Sequence, residues 1–289
     1  MPDGRRSRCS VLRARFVFTF VAALLACAGV AYAQRGGRGF GGRNDGGPIR
    51  FAPPEMPDRK FTVCRIMYRS VRIEEAGAGW QTDYPYGEIN LMIRFSELTK
   101  TPVSFTGERR PNNWVVRLTD DTLFNCPYTV ASDVGTIGLS PEEVDRLRLY
   151  LLKGGFLWVD DFWGTAAWQQ WSREIGKVFP PAEYPIEDVA LNDPIFSTQF
   201  IVTKIPQITR LPFWRAVNGT TTSERGDDSR EAHFRAIRDK QGRIMVVMTH
   251  NTDVADSWER EGEDPAYFYR FSPDGYALGI NVLLYAMTH

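Results

Sequence analysis

Residues 140–164 read SPEEVDRLRLYLLKGGFLWVDDFWG, and this stretch decides the fold class. Ser140, followed by a proline and then by Glu143, predicts a capped helix start. The glycine pair at 154–155 predicts the end of that helix. The apolar run 156–159 follows at once and is typical of a strand buried on both faces of a parallel sheet. A helix that leads directly into such a strand indicates an α/β fold.

Alternating strands and helices are predicted along the rest of the chain from residue 60. Predicted strands cover residues 61–68, 103–105, 114–118 and 123–130, and further predicted helices start near Asp83, after Gly164 and at Ser272. The polar quartet 239–242 lies between two strand-like runs and predicts an antiparallel hairpin. We therefore expect an α/β fold of three layers: a mainly parallel sheet with helices on both faces, plus one antiparallel hairpin.

The first 33 residues have the pattern of a secretory signal peptide. Five arginines and one acid precede an apolar run of 15 residues, Phe16 to Val30, and the sequence Ala31-Tyr32-Ala33 follows. The run is shorter than the roughly 20 residues that span a bilayer. We expect cleavage after Ala33 and a periplasmic or secreted protein. An uncleaved membrane anchor and lipidation at Cys27 are the alternatives.

One domain preceded by a tether is expected after cleavage. Residues 34–58 are rich in Gly and Pro, which predicts a disordered linker, and residues 59–289 form the predicted single domain. The whole sequence has 35 basic and 35 acidic residues, and removal of residues 1–33 leaves 30 against 34, a net charge of −4. This balance argues against nucleic acid as a partner. We expect no transmembrane helix in the mature chain and no cofactor.

Cys64 and Cys126 are the cysteines that remain after residues 1–33 are removed. Both lie in apolar, strand-like runs. Two buried thiols are favoured over a bridge, although an exported protein permits disulfides.

Three loops that leave predicted strands carry the candidate ligand-binding residues. In open α/β sheets, ligands bind beyond the carboxyl ends of the strands, so we expect these loops to meet. The candidate side chains are Trp80, Asp83, Tyr84, Tyr86, Trp163, Asn251, Asp253 and Trp258. Convergence would place several carboxylates and several indoles in one cleft.

Asp160, Asp161 and His250 are the candidate catalytic residues. Burial and a neighbouring charge shift the pKa of an aspartate, which suits a general acid or base or a metal ligand. A structural role is open for each residue. Either aspartate is suited to cap the following helix, two adjacent acids point opposite ways on a strand, and His250 is suited to hydrogen-bond in the core.

Several common catalytic motifs are absent from the sequence. It contains no Gly-x-Ser-x-Gly elbow, no Walker loop and no His-Glu-x-x-His pair. The absence of Cys-x-x-Cys argues against a structural zinc site, and neither Cys64 nor Cys126 follows a strand as a nucleophile would. The functions that remain are carboxylate chemistry, a metal held by oxygen ligands, and binding without chemistry.

Five ordered segments resemble the bacterial family called domain of unknown function 4159. They are residues 80–86, 147–164, 192–196, 242–253 and 279–289. The resemblance covers roughly residues 59–289 and implies a flavodoxin-like fold similar to that of class I glutamine amidotransferases. Residues 152–159 resemble the strand before the nucleophile elbow of that superfamily. Here the elbow holds Asp160-Asp161-Phe162 in place of cysteine, a departure that argues against amidotransferase activity.

The leading hypothesis is a non-catalytic ligand-binding or interaction module of the cell envelope. Its expected partner is a glycan or an envelope protein. Carbohydrate is the preferred ligand class, because indoles stack on sugar faces and carboxylates accept hydrogen bonds from hydroxyl groups.

Two further hypotheses use the same carboxylates. A hydrolase acting on a glycan, with or without a metal, would pair Asp161 with Asp83 or Asp253, assisted by His250. It would need carboxyl groups about 5–5.5 Å apart for retention or about 6.5–9.5 Å apart for inversion. A calcium or magnesium site built from the same oxygens is the third hypothesis.

Overall fold

The computed structural model describes residues 48–107 and 109–289. The predicted signal peptide, Cys27 and residues 34–47 of the predicted linker lie outside the described residues. Pro48–His289 form one unit by their internal contacts, and the fold below is that of this unit.

Nine strands occur within the described residues. Their bounds are β1 Val63–Met67, β2 Arg69–Ser70, β3 Asn113–Arg117, β4 Tyr128–Ser132, β5 Ile137–Gly138, β6 Phe156–Phe162, β7 Glu187–Asp188, β8 His233–Arg238 and β9 Ile244–His250. Seven of them form the central sheet in the order β3-β1-β4-β6-β9-β8-β7, while β2 and β5 pair separately.

The central sheet is mainly parallel, as the sequence predicts. Strands β3, β1, β4, β6 and β9 run in the same direction. Strand β8 runs antiparallel to β9 and is joined to it by the polar quartet, so the predicted hairpin is present. The short strand β7 pairs antiparallel with β8 at the edge.

Helices cover both faces of the sheet. Within the described residues they are α1 Tyr86–Thr99, α2 Pro141–Leu152, α3 Gly164–Val178, α4 Leu211–Ala216, α5 Asp256–Glu259 and α6 Pro265–Thr288. The apolar stripes of α2 and α3 pack on one face of the sheet. Helices α1, α4, α5 and α6 pack on the other. The three-layer prediction is therefore confirmed. In this part of the chain no helix combines the length and the apolar character that crossing a membrane requires.

The decisive stretch folds as predicted. The Ser140 hydroxyl accepts a hydrogen bond from the Glu143 N–H (3.3 Å), and the Glu143 carboxylate accepts one from the Ser140 N–H (2.8 Å). This reciprocal cap satisfies two N–H groups that the helix itself leaves unpaired. Gly154, with φ +104°, turns the chain from α2 into β6.

The predicted strand 103–105 is not formed, since Val103 and Phe105 make isolated bridges to Phe61 and Pro111. Two predicted boundaries also differ from the structure. Residues 121–125 form a 3-10 turn, so β4 begins at Tyr128 and not at residue 123. Helix α6 begins at Pro265 and not at Ser272, because the Asp264 carboxylate accepts hydrogen bonds from two N–H groups of the first turn. Pro273 lies inside this helix. Packing of Tyr267 and Phe271 against Trp214 holds the turns before it.

The described part of the predicted linker contacts the sheet edge. Phe51 bridges Val115 of β3, and the Ala52 N–H donates to the Val115 carbonyl at 3.0 Å. The chain therefore reaches the domain along the edge formed by β3, whose outer hydrogen-bonding groups it occupies.

A disulfide joins Cys64 of β1 to Cys126, just before β4. Both residues are fully buried. The expectation of two free thiols is therefore wrong. Cys64 lies on β1, and Cys126 comes just before β4, the parallel strand next to β1. Their Cα atoms are therefore 5.9 Å apart, a distance that a disulfide spans. The two cysteines are 62 residues apart in the sequence, so their positions along the chain do not reveal this proximity.

We predict that the double variant Cys64→Ala/Cys126→Ala is less stable than the wild type by about 4 kcal/mol, because the bridge restricts a long loop of the unfolded chain. Equilibrium urea unfolding under oxidising conditions measures this loss. Wild-type protein unfolded with a reductant should lose a similar amount. An unchanged urea midpoint in the double variant would show that the bridge does not contribute to stability.

Candidate functional site

The strand order changes direction at β1. The chain passes from β1 to β3 on one side, whereas β4, β6 and β9 lie on the other side. Such a switch point, at the carboxyl ends of the strands, is where open α/β sheets bind ligands. The loops that follow β4, β6 and β9 lie there together with the loop before α1.

Three aspartates meet at this edge. Asp83, Asp161 and Asp253, here called the aspartate triad, offer carboxylate oxygens that all lie within 4.8 Å of one another. Asp83 and Asp253 are buried, and Asp161 is half-buried. The three predicted loops therefore converge through their aspartates.

A bulge in β6 brings Asp161 into the triad. The register with β9 shifts between Val159 and Phe162, and Asp161 has the left-handed φ of +51°. A bulge inserts an extra residue and changes the direction of the side chains that follow. The Asp160 side chain faces the same side of the sheet as the triad, and its negative charge raises the pKa of Asp83 and of Asp253. The side chains of Asp160 and Asp161 therefore do not point to opposite faces of the sheet, as adjacent side chains do on a regular strand.

Each aspartate of the triad has one oxygen held by a donor. The donors are Ser132 Oγ on Asp83 (2.8 Å), Trp163 Nε1 on Asp161 (2.8 Å) and the Asp256 N–H on Asp253 (2.9 Å). Within the described part of the chain, no hydrogen bond reaches the other oxygen of any of the three. The triad therefore has three carboxylate oxygens available to a ligand.

Burial makes the charged form of the triad unfavourable. It raises the pKa of Asp83 to about 7, and the negative charge of Asp256 adds to this effect against the pull of Arg65. Burial also raises the pKa of Asp161 and of Asp253 well above the usual range, and the neighbouring carboxylates add to both shifts. A positive charge among the three carboxylates therefore favours their joint ionisation.

Asp83 also belongs to a second acidic group, with Asp256 and Glu259. This group already has a cation, because Arg260 Nε lies 3.3 Å from Asp256 Oδ1 and 3.6 Å from Glu259 Oε2. The other Asp256 oxygen accepts a hydrogen bond from the Leu211 N–H. Burial raises the pKa of Glu259 to about 10, so Glu259 holds a proton. The aspartate triad is the better candidate for a metal ion.

Arg65, Glu88 and Ser132 belong to the site although the sequence reasoning missed them. Arg65 Nε contacts Glu88 Oε1 at 2.5 Å, and Arg65 Nη1 donates to Ser132 Oγ at 2.8 Å. Arg65 and Glu88 are both 2% exposed. A charged residue inside an apolar strand was the available signal for Arg65. For Glu88 the signal was its position on the apolar face of α1, one turn before Leu91.

A cavity lies beside the triad, between β1, β4, β6, α1 and α5. Its polar wall consists of Arg65, Glu88, Ser132, Asp160 and Trp258. Within the described residues, Glu88 Oε2 and Trp258 Nε1 are buried without a hydrogen-bond partner. A buried polar atom without a partner is destabilising.

His250 lies on the other face of the sheet. Its neighbour Thr249 donates to Asp160 at 2.5 Å, and side chains alternate along a strand. The His250 ring packs against Phe162 and Trp168, and its Nε2 lies 3.1 Å from the Gly164 carbonyl. Burial lowers the pKa of His250 to about 4, so the ring is neutral. The structure therefore does not bring His250 to the triad.

The predicted aromatic residues are divided between core and rim. Trp163 and Trp258 are buried, and Trp258 packs between Trp158 and Tyr276. Three are half-buried near Asp83: Trp80, Tyr84 and Tyr86. The rings of Trp80 and Tyr84 are 5.7 Å apart. This pair is the aromatic surface beside the triad.

Asn251 caps a helix at the β6–α3 turn. Its Oδ1 accepts a hydrogen bond from the Gly164 N–H at 2.7 Å, and Asp228 accepts one from the Thr165 N–H at 2.9 Å. Neither Asp160 nor Asp161 caps α3, whose N-cap residue is Trp163. The first two N–H groups of α3 are therefore already hydrogen-bonded by side chains.

Asp133 was also missed, and it anchors the loop over the site. Its Oδ2 accepts a hydrogen bond from the Gly79 N–H at 2.8 Å, and burial raises its pKa to about 7. Asp133 has a φ of +53°, and Asp83, Asp161 and Asn251 are likewise left-handed. Non-glycine residues in this conformation are uncommon and concentrate at functional sites.

Comparison with known proteins gives a family and no activity. The sequence model of the family described as Domain of unknown function (DUF4159) matches residues 67–287. No curated protein matches the chain.

We predict that the metal-free protein loses stability as pH rises from 6.5 to 8.5. Buried carboxyls with a raised pKa bind protons in the folded state that the unfolded state has released, so the free energy of unfolding falls as they ionise. The fall is about 1.4 kcal/mol per pH unit for each carboxyl still protonated. Urea unfolding with a chelator measures it. Below this pH range the lowered pKa of His250 has the opposite effect, because the free energy of unfolding then rises with pH.

Asp253→Asn should make this pH dependence shallower, because one titrating carboxyl is removed. Asp145→Asn, an exposed aspartate on α2, is the control and should leave it unchanged. A stability that is flat or rises over this range in the wild type would contradict the assignment.

Proposed function

Since this chain belongs to the family described as Domain of unknown function (DUF4159), we propose its function from its site: an exported binding module that holds a divalent cation at the aspartate triad. The description of the family names no activity, so the argument comes from the chemistry of the described residues.

The observation that carries the proposal is the convergence of the triad. Three carboxylates from separate loops offer oxygens within 4.8 Å of one another at the switch point of the sheet. A divalent cation supplies a positive charge that favours their joint ionisation. Ca²⁺ and Mg²⁺ prefer carboxylate oxygens and complete their coordination with water or with a ligand. The cation would thus recruit a ligand to the cleft.

Export is supported by two independent features. The first 33 residues have the charge and hydropathy pattern of a signal peptide. The buried disulfide between Cys64 and Cys126 is typical of proteins from oxidising compartments. A periplasmic or secreted location agrees with both.

Binding is favoured over hydrolysis by the positions of the other candidate groups. His250 faces the opposite side of the sheet, and the amides at the start of α3 are engaged by Asn251 and Asp228. The triad oxygens lie within 4.8 Å of one another, a spacing at which one cation can contact all three. The carboxylates are therefore placed to share a cation.

We predict that the protein binds Ca²⁺, Mg²⁺ or Mn²⁺ with one ion per chain, measured by isothermal titration calorimetry at pH 7.5. Asp161→Asn should weaken binding at least about tenfold, because it removes one charged ligand from the site. Binding should also release protons, since the raised pKa values leave triad carboxyls protonated in the free protein. Titration in two buffers of different ionisation enthalpy measures that release.

The control is Asp145→Asn, which makes the same chemical change at an exposed aspartate outside the site. It should bind the ion like the wild type. Circular dichroism establishes that each variant is folded. If none of the three ions binds to the wild type, or if Asp161→Asn binds as tightly as the wild type, the proposed function is wrong.

A further inference from the structure

Two carboxylates of the aspartate triad have one oxygen that faces an N–H group. The Trp163 indole N–H donates to Asp161 Oδ1 at 2.8 Å, and the Asp256 N–H donates to Asp253 Oδ1 at 2.9 Å. Such a group is only a donor, so its positive end points at the carboxylate oxygen permanently. A cation bound to both oxygens of either carboxylate would lie close to that positive end. Each carboxylate therefore favours binding through its other oxygen alone.

Asp83 is held in the same way by a hydroxyl group. Ser132 Oγ lies 2.8 Å from Asp83 Oδ2 and 2.8 Å from Arg65 Nη1. A guanidinium group has no acceptor, so Arg65 donates to Ser132 and the single hydroxyl proton of Ser132 points at Asp83. Asp83 thus also has one oxygen that faces a donor.

The neighbouring aspartates have no oxygen to spare for a cation. Asp160 Oδ1 accepts a hydrogen bond from the Thr249 hydroxyl at 2.5 Å, and Asp160 Oδ2 accepts one from the Ala255 N–H at 2.9 Å. The two oxygens of Asp256 are engaged by the Leu211 N–H and by Arg260, as described above. The carboxylates at this edge therefore offer a cation three single oxygens, one from each member of the triad.

These single oxygens belong to side chains with little contact to solvent. Asp83 is 9% exposed and Asp253 is 4% exposed. In the described chain, the second oxygen of each has no hydrogen-bond partner. A buried carboxylate oxygen without a partner is costly, and contact with a cation would stabilise it.

The number of protein oxygens distinguishes the divalent ions. Ca²⁺ takes about 6–8 oxygen ligands, and bidentate carboxylates commonly supply two of them. Mg²⁺ requires an octahedron of about six oxygens and keeps several of its waters. Mn²⁺ is also suited by carboxylate and water oxygens in an octahedral arrangement. Three single oxygens complete half of an octahedron but less than half of most Ca²⁺ sites.

We propose that the triad selects Mg²⁺ and Mn²⁺ over Ca²⁺, because the donors on its carboxylates restrict each of them to a single oxygen. About three coordination positions of the ion then remain for water, and the oxygen atoms of a ligand replace those waters. This selectivity rests on the proposed function, in which the triad holds a divalent cation of unspecified identity.

Isothermal titration calorimetry of the wild-type protein with MgCl₂, MnCl₂ and CaCl₂ at pH 7.5 tests the selectivity. Mg²⁺ and Mn²⁺ should each bind at least about threefold more tightly than Ca²⁺. Relaxation of water protons by the bound Mn²⁺ counts its waters, and the expected number is about three. An ion enclosed by bidentate carboxylates would keep one water or none.

Trp163→Phe removes the donor on Asp161 Oδ1 and keeps an aromatic ring. Both oxygens of Asp161 then become available, so the ratio of Mg²⁺ affinity to Ca²⁺ affinity should fall at least about threefold. A merely structural defect would weaken the binding of both ions and leave this ratio unchanged. Trp171→Phe is the matched control, because Trp171 is buried in the core on the opposite face of the sheet and should retain the ratio.

The outcomes separate this proposal from the proposed function. Cation binding with equal or tighter affinity for Ca²⁺, with at most one water on Mn²⁺, or with a ratio that Trp163→Phe retains, would overturn the selectivity alone. The first two results come from the wild type and do not depend on the folding of any variant. If none of the three ions binds, the proposed function fails and the selectivity fails with it.

Discussion

Burial of negative charge is the constraint on which this structure depends. The carboxyl edge of the sheet brings together Asp83, Asp160, Asp161 and Asp253, of which all but the half-buried Asp161 are buried. Carboxylates in such a place repel one another and lose their hydration, so the protein must hold protons, arginines or a bound cation there. Arg260 neutralises one part of this edge and Arg65 another. The triad lies between them, and the charge of Arg65 offsets its negative charge only in part.

The bulge in β6 is the local feature that makes the triad. On a regular strand Asp161 would face the layer of α2 and α3, away from Asp83. The extra residue gives Asp161 a left-handed φ and turns its side chain into the site. The Phe162 side chain then points into the core between the sheet and helices α2 and α3. Trp163 then donates its indole N–H to Asp161 and fixes the carboxylate. One irregular residue pair thus converts a buried strand into one wall of a binding site.

The two faces of the sheet separate the candidate residues by function. Thr249 and His250 are adjacent on β9, yet Thr249 contacts Asp160 while His250 packs beneath Phe162 and Trp168. The helix that begins after β6 is capped by the side chains of Asn251 and Asp228. The site that remains is acidic and partly aromatic, and it adjoins the cavity lined by Arg65, Glu88 and Asp160.

The local pattern of the sequence alone determined the layered α/β fold, the capped α2, the direct passage into β6 and the hairpin of β8 and β9. Those features depend on periodicity, caps and turns, which neighbouring residues specify. The tertiary structure decided the disulfide, the bulge at Asp161, the exclusion of His250 and the entry of Arg65, Glu88 and Ser132 into the site. Each of these depends on which strands are neighbours and which face a side chain takes, and both are set by packing between residues far apart in the chain.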